Sequence, residues 1–152
     1  MNDEDAMRQA IAASRDALAR GDRPYGAAAV GADGRLLHVA GNRQVTARDC
    51  TAHAETVLVR DLESRLGPGA LRGATVYASG EPCAMCSGAL FWAGVRRVVF
   101  ATPTPRMAAL LGGDLLPARC AEVLAGATPA VEVDGPLLHE EAEAVLREAA
   151  RR

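Results

Sequence analysis

The 152-residue sequence contains no apolar run that is long enough to cross a bilayer. A membrane-spanning helix needs about 20 consecutive apolar residues, so we expect no membrane association. The sequence also shows no internal repeat and no low-complexity segment. Residues 1–5 are acidic and unlike a secretory or transit peptide. These absences predict a cytoplasmic protein.

Basic runs are also missing. The formal net charge is −2, and Arg96-Arg97 and Arg151-Arg152 are the only arginine pairs. Proteins that bind polynucleotides usually concentrate positive charge on one face, where it neutralises phosphates. The charge pattern therefore argues against a nucleic-acid partner.

Cysteines and aromatic residues are few. Four cysteines in a chain of this length do not make a disulfide framework. Because only 3% of the residues are aromatic, each aromatic side chain near a site is a stronger stacking candidate than usual.

The sequence contains enough hydrophobic residues to form one core. Hydrophobic residues make up 49% of the chain, and its length is typical of one domain. Residues 1–152 are therefore predicted to form a single domain.

Apolar periodicity and the positions of glycine and proline predict a helix, a hairpin, and then alternating helices and strands. This order indicates an α/β fold with a mixed sheet. Helices are predicted at 4–20, 53–66, 83–93, 119–124 and 137–151, with a loop and short helix in 102–113. Strands are predicted at 27–30, 36–40, 74–79, 95–101 and 130–133.

A Cys-x-x-Cys pair follows the predicted strand 74–79. Cys83 and Cys86 are three residues apart and fall on one face of a helical turn. Pro82 suits the first helical position, because it has no N–H to leave unpaired. The positive end of the helix dipole there favours thiolates.

A histidine and a carboxylate lie upstream, at His53 and Glu55. Two cysteines and one histidine are a known ligand set for catalytic zinc, which keeps one coordination position open. Because His53 and Glu55 are two residues apart, a regular helix does not point both at one atom. Glu55 is therefore predicted to be a general base and acid rather than a ligand.

The pattern His53-Ala54-Glu55 followed by Glu81-Pro82-Cys83-Ala84-Met85-Cys86 resembles the cytidine-deaminase-like superfamily of zinc deaminases. The resemblance runs from about residue 24 to about residue 101 and continues more loosely to the end of the chain. It implies a three-layer α/β/α sandwich with a five-stranded mixed sheet. Relatives form dimers, so a homodimer is expected.

The same resemblance implies roles for five residues. His53, Cys83 and Cys86 would hold Zn²⁺ between the second and third helices. Glu55 would move a proton between water and substrate, and the backbone near Ala54 and Cys83 would orient the reacting groups. The implied reaction is hydrolytic removal of an exocyclic amino group from a nucleobase or nucleoside, with release of ammonia.

Four further residues have two interpretations each. Asn42 is either part of a Gly-Asn turn or, as in relatives, a hydrogen-bonding partner of the substrate. Tyr25 either lines the pocket or fills the core. Trp92 is either a packing residue or a purine-stacking residue, as the resemblance to bacterial guanine deaminases implies. Asp114 is either an exposed loop acid or a second proton shuttle.

Guanine or a related purine is the leading substrate expected from Trp92, Asp114 and the lack of basic surface. A tRNA adenosine deaminase is the alternative, because Gly94–Phe100 also resembles those enzymes, and a cytosine or nucleoside deaminase comes third. A structural zinc module would recruit Cys50 or Cys120 as a fourth ligand, and a redox protein would form a Cys83–Cys86 disulfide.

Residues outside the motif have plainer expectations. Cys50 and Cys120 are expected to be small buried residues rather than ligands. His38 and His139 are expected to be surface or packing residues.

Overall fold

The computed structural model describes all of residues 1–152. The helices are α1 (Asp3–Arg20), α2 (Ala54–Leu66), α3 (Ala84–Trp92), α4 (Thr104–Leu111), α5 (Cys120–Leu124) and α6 (His139–Ala150). The strands are β1 (Gly26–Val30), β2 (Leu36–Gly41), β3 (Thr75–Gly80), β4 (Arg97–Thr102) and β5 (Glu132–Asp134). Each predicted element is found, with its ends shifted by a few residues.

The five strands form one mixed sheet in the order β2-β1-β3-β4-β5. β1 is antiparallel to both of its neighbours, whereas β3, β4 and β5 run parallel. The mixed five-stranded sheet expected from the sequence is confirmed. Its parallel half points the carboxyl ends of β3 and β4 to one edge, where open α/β sheets bind ligands.

Helices cover both faces of the sheet. α1 and α6 pack on one face, and α2 packs on the other together with α3 and α5. Two clusters of buried apolar residues fill the space between the helices and the two faces of the sheet. This is the three-layer α/β/α sandwich that the family resemblance implies.

The small residues of β1 allow α1 to approach the sheet closely. All five residues of Gly26–Val30 are buried. A Cβ atom on Gly26 would lie 2.1 Å from the carbonyl oxygen of Ala10 and 2.6 Å from the backbone nitrogen of Ser14. The helix therefore packs directly on the strand backbone, and only glycine fits at position 26.

Asp3 fixes the first turn of α1 to the middle of the sheet. It accepts two hydrogen bonds from the guanidinium of Arg97 on β4, at 2.8 and 2.9 Å, and one from the hydroxyl of Tyr77 on β3, at 2.6 Å. The hydrogen bond from Arg97, followed by that from Tyr77, lowers the pKa of Asp3 from its usual 3.8 to about 2. The helix start is thus held by a charged, bidentate contact.

None of the helices is both long and apolar enough to cross a membrane.

Candidate active site

Two metal-ligand candidates lie where helices begin. His53 is the N-cap of α2 and Cys83 is the N-cap of α3, both in extended backbone conformations. The sequence prediction placed these residues inside the helices and placed Pro82 at the first helical position. Pro82 instead precedes the cap, so that part of the prediction is wrong. A capping position suits a ligand, because its backbone turns away from the helix axis and frees the side chain.

The side chains of His53, Cys83 and Cys86 converge on one point. The Nδ1 atom of His53 lies 3.6 Å from the sulfur of Cys83 and 3.5 Å from that of Cys86. All three potential ligand atoms lie within 4.8 Å of one another. Tetrahedral zinc with ordinary Zn–S and Zn–N bond lengths requires an N···S edge of about 3.6 Å. The three residues therefore fit zinc in both chemistry and spacing.

The other cysteines do not join this group. Cys120 is buried, as expected, but Cys50 is exposed, so the prediction of a buried Cys50 is wrong. Neither belongs to the cluster that could hold a metal ion, which leaves a structural zinc module without a fourth cysteine. All four cysteines are free, so a Cys83–Cys86 disulfide is not formed either.

The two ligand thiols differ in acidity. A hydrogen bond from Cys86 to Cys83 lowers the pKa of Cys83 to about 4. The same hydrogen bond, together with burial, raises the pKa of the Cys86 thiol. A hydrogen bond with Cys83 also raises the pKa of His53. A thiolate at Cys83 gives the site a soft, negative donor of the kind that zinc prefers.

Glu55 lies in the first turn of α2, beside the three converging side chains. Its side chain is buried, and this burial raises its pKa to about 7. The cluster that could hold a metal does not include it. A carboxyl group with this pKa both accepts and donates protons near neutral pH, which is what a general base and acid requires.

A cavity of ≈ 770 Å³ opens above these side chains. Its volume lies in the usual range for a small-molecule site. Four residues proposed from the sequence as substrate or proton contacts line it: Tyr25, Asn42, Ala54 and Asp114.

Tyr25 reaches the cavity by packing over Gly80. A Cβ atom at position 80 would lie 2.6 Å from the sulfur of Met107 and 2.9 Å from the Tyr25 ring. Burial raises the pKa of Tyr25 to about 12, so the phenol stays neutral at physiological pH. Glycine at the end of β3 therefore leaves the space that both side chains occupy.

Asn42 is buried, and its amide is already engaged. Its Oδ1 accepts hydrogen bonds from the backbone N–H groups of Arg23 and Gln44, and its Nδ2 donates to the side chain of Gln44. Asn42 therefore organises a turn and also lines the cavity, and its hydrogen bond to substrate stays a prediction.

Asp114 lies in the segment after α4. It is exposed, lines the cavity, and forms no hydrogen bond or ion pair within the chain. Its position suits a group that meets the substrate.

The comparisons with known proteins agree with this geometry. The family model for the cytidine and deoxycytidylate deaminase zinc-binding region matches residues 1–102. The chain belongs to this deaminase family. Membership confirms the resemblance recognised in the sequence and the enzyme class, hydrolases acting on C–N bonds of nucleobases or nucleosides.

Relatives within the deaminase family have different substrates in their names. A probable cytosine deaminase of Schizosaccharomyces pombe is 37% identical over 90% of this chain and 85% of its own length. A tRNA-specific adenosine deaminase of Agrobacterium fabrum is 37% identical over 70% of each chain. The solved structure of a guanine deaminase from Nitrosomonas europaea has 29% identity and a TM-score of 0.86, covering 99% of this chain and 86% of that one.

Trp92 is not part of the deaminase cavity of its own chain. Its side chain is 83% exposed, and its ring contacts Phe91 edge to face at a centroid distance of 4.9 Å. The reason is geometric, because α3 begins at the site and Trp92 lies nine residues beyond Cys83. At 1.5 Å per residue that is about 13 Å along the axis. The interpretation of Trp92 as a residue that stacks on a base bound in the same chain is therefore wrong.

The remaining histidines lie away from the site, as expected. His38 pairs with Asp61 between β2 and α2, and His139 pairs with Glu143 within α6.

Sequence reasoning missed the roles of two cavity residues. Glu81 was seen only as part of the cysteine motif, yet it is buried and binds three groups from distant parts of the chain. Gln44 was not considered, although it lines the cavity and bonds to Asn42. Gln44 could have been found from its position, because it is a polar residue two positions after the candidate substrate contact Asn42.

Proposed function

We propose that this chain is a zinc-dependent hydrolytic deaminase of a free nucleobase or nucleoside, with guanine or a related purine as the leading substrate. The observation that carries the proposal is the meeting of His53, Cys83 and Cys86 at tetrahedral spacing, with the buried Glu55 beside them. Zinc in such a site supplies an acidified water as the nucleophile.

Glu55 carries the proton transfers in this proposal. Its carboxylate takes a proton from the attacking water and delivers it to the ring nitrogen next to the reacting carbon. The oxygen of water bonds to that carbon, the bond to the exocyclic nitrogen breaks, and ammonia leaves with a proton. Burial keeps bulk water away from Glu55 and holds its pKa in the range that this exchange needs.

The cavity walls would bind and orient the base. Tyr25 offers a neutral aromatic surface for the ring, and the amides around Asn42 offer hydrogen bonds to its edge. Ala54 brings the first backbone N–H of α2 to the cavity, where the helix dipole favours developing negative charge. Asp114 would deliver a proton to the departing nitrogen.

A small substrate suits the charge distribution better than tRNA does. Eight arginines are paired with carboxylates: Arg8, Arg20, Arg60, Arg97, Arg106, Arg119, Arg147 and Arg152. Arg23 is the only arginine that lines the cavity. Paired cations contribute little to a phosphate-binding face. The guanine deaminase named above also matches nearly the whole chain.

Two alternatives have specific support. The tRNA-specific adenosine deaminase relative favours a polynucleotide substrate, and the long match to a probable cytosine deaminase favours a pyrimidine. Both substrates fit the same reaction, because each carries an amino group on an amidine carbon.

We further propose a homodimer of single-domain chains in the cytoplasm. Met85 and Trp92 on α3 are 37% and 83% exposed, and they are seven positions apart, so they share one face. Burial of this apolar face by a second copy would explain its composition. Light scattering coupled to gel filtration would show a mass twice that of the chain, and the mass of one chain would exclude the dimer.

The experiment that tests the function is an ammonia-release assay on the zinc-loaded protein. The substrates are guanine, adenine, cytosine, their nucleosides and a tRNA anticodon stem. The proposal expects the highest kcat/KM for guanine or a related purine. Highest activity on the anticodon stem or on cytosine would replace the substrate assignment, and no release from any substrate would overturn the deaminase proposal.

A further inference from the structure

The orientation of the Asn42 side-chain amide is fixed by its partners. Its Oδ1 accepts the backbone N–H of Arg23 at 3.3 Å and that of Gln44 at 3.0 Å. A backbone N–H can only donate, so the atom facing both must be oxygen, and Nδ2 must face the other way.

The amide of Gln44 is fixed in turn by Asn42. Nδ2 of Asn42 donates to Oε1 of Gln44 at 2.7 Å. Because Nδ2 cannot accept, the atom opposite it is the Gln44 oxygen. The remaining polar atom of Gln44, Nε2, has no acceptor within the chain. Gln44 is half-buried and lines the cavity, so Nε2 offers its N–H bonds to whatever occupies that space.

The backbone on both sides of Gln44 is held. The N–H of Arg43 donates to the carbonyl of Ala52 at 3.0 Å, and the N–H of Val45 donates to Asp22 at 3.0 Å. Ala52 directly precedes the metal-ligand candidate His53, so Gln44 lies on the wall next to the reaction centre. A donor placed by a fixed backbone and a fixed amide is preorganised for recognition.

This wall offers donors and few acceptors. Both hydrogen bonds to Asn42 Oδ1 come from the protein, and Gln44 Oε1 already accepts from Asn42. Arg23, on the same side of the cavity, has only donors in its side chain. A base edge bound here therefore needs acceptors, such as an oxo group and an unprotonated ring nitrogen.

We propose that Gln44 is a specificity-determining residue that donates from Nε2 to the oxo group of a 6-oxopurine and disfavours a 6-aminopurine at the same place. The inference rests on the proposed function and names the substrate class that this site selects. An amino group in that position would set donor against donor and leave both unpaired, which costs more than losing one hydrogen bond.

Guanine and 2,6-diaminopurine make the test, because both carry the 2-amino group. Guanine has a 6-oxo group beside a protonated N1, whereas 2,6-diaminopurine has a 6-amino group beside an unprotonated N1. The measured quantity is the ratio of their kcat/KM values for loss of the 2-amino group, with products identified by chromatography. Gln44→Glu keeps an oxygen for Asn42 and replaces the cavity-facing donor with an acceptor. We expect the guanine preference of the wild type to fall about a hundredfold in this variant, and about tenfold in Gln44→Met.

Gln9→Glu is the matched control, since Gln9 is the only other glutamine and lies exposed on α1. It should keep the wild-type ratio. An active, folded Gln44→Glu enzyme with an unchanged ratio would overturn the inference and leave the deaminase proposal standing. If the wild type releases no ammonia, calorimetric binding of the two purines decides: a guanine preference that Gln44→Glu removes supports the recognition, and equal or absent binding overturns it.

Discussion

The buried carboxylate of Glu81 forms an ion pair with the half-exposed Arg119 directly before the cysteine turn, with Nε of Arg119 2.9 and 3.0 Å from the two carboxylate oxygens. The same carboxylate accepts the backbone N–H of Thr104 at 2.9 Å and that of Cys120 at 3.0 Å. Residues lining one part of the cavity come from the segment 104–116, so Glu81 ties both ends of this segment to the turn between β3 and α3.

Removing the charge of Glu81 should loosen this segment. A glutamine amide in its place could accept through one atom only, so at least one of the three contacts would be lost. We expect Glu81→Gln to raise KM about tenfold, with a smaller change in kcat and unchanged zinc content. Arg119→Met, which leaves both backbone contacts, should have a weaker effect. A wild-type KM in a Glu81→Gln protein of unchanged Tm would contradict this positioning role.

Replacing Glu55 should separate metal binding from turnover. Glu55→Gln preserves shape but cannot carry a proton, so kcat should fall by about a thousandfold or more while zinc content stays at the wild-type level. Glu63→Gln, on the same helix but outside the cavity, is the control and should remain active. Full activity of Glu55→Gln would refute the assigned role.

Zinc content should depend on two of the four cysteines. Cys83→Ser or Cys86→Ser should lower the zinc bound per chain, measured by atomic emission after gel filtration, because each removes one of three ligands. Cys50→Ser should bind zinc as the wild type does, since Cys50 lies outside the ligand cluster. Equal zinc loss in all three variants would mean that the ligand set is misassigned.

Asp114 should matter for chemistry rather than for folding. Because it has no partner within the chain, Asp114→Asn should leave Tm unchanged while lowering kcat by about ten- to a hundredfold if it delivers a proton. Asp33→Asn, in the β1–β2 hairpin, is a control outside the cavity. A wild-type kcat in Asp114→Asn would mean that Asp114 is an exposed loop acid with no part in proton transfer.

The contact between Asp3 and Arg97 should make stability depend on pH. The pKa of Asp3 is lowered on folding, so its contribution is complete above the unfolded value near 3.8 and disappears as pH falls through about 2. Since Asp3 is partly exposed, we expect Asp3→Asn to cost about 1 kcal/mol at pH 7. Urea unfolding from pH 7 down to pH 2 should show the difference shrinking steadily below about pH 4, with only a small part left at pH 2.

Asp5→Asn is the control for the helix-dipole contribution, because Asp5 shares the first turn but has no side-chain ion pair. If the loss in the free energy of unfolding caused by Asp3→Asn stayed constant with pH, the effect would not come from the charge of Asp3.

The elements of this fold could be predicted because local signals agree with the tertiary structure. Gly21 adopts φ 91° and ends α1 where the apolar stripe ends, and the ligand motif brought His53, Cys83 and Cys86 together correctly. The first helical residues of α2 and α3 were missed by one position. Capping depends on backbone angles, and residue identity alone did not reveal that a histidine and a cysteine were the caps.

What the sequence could not reveal depends on distant partners. The contacts of Glu81 with Thr104, Arg119 and Cys120 span 23 to 39 positions, so no local pattern shows them. Trp92 was misplaced because the family resemblance gave its position in the chain but not its distance along the helix. Exposure of Cys50 depends on how residues 43–52 fold back, which side-chain chemistry alone does not determine.

Because Gly80 has no side chain, the residues that pack around it offer a way to change substrate size by mutation. Tyr25 and Met107 both pack against the backbone there, so exchanging either for a smaller residue would enlarge the cavity, while any enlargement of residue 80 would push both side chains away. Neither change alters His53, Cys83 or Cys86, the candidate metal ligands. Breadth of the cavity and reactivity of its centre can therefore be tuned separately in a designed variant.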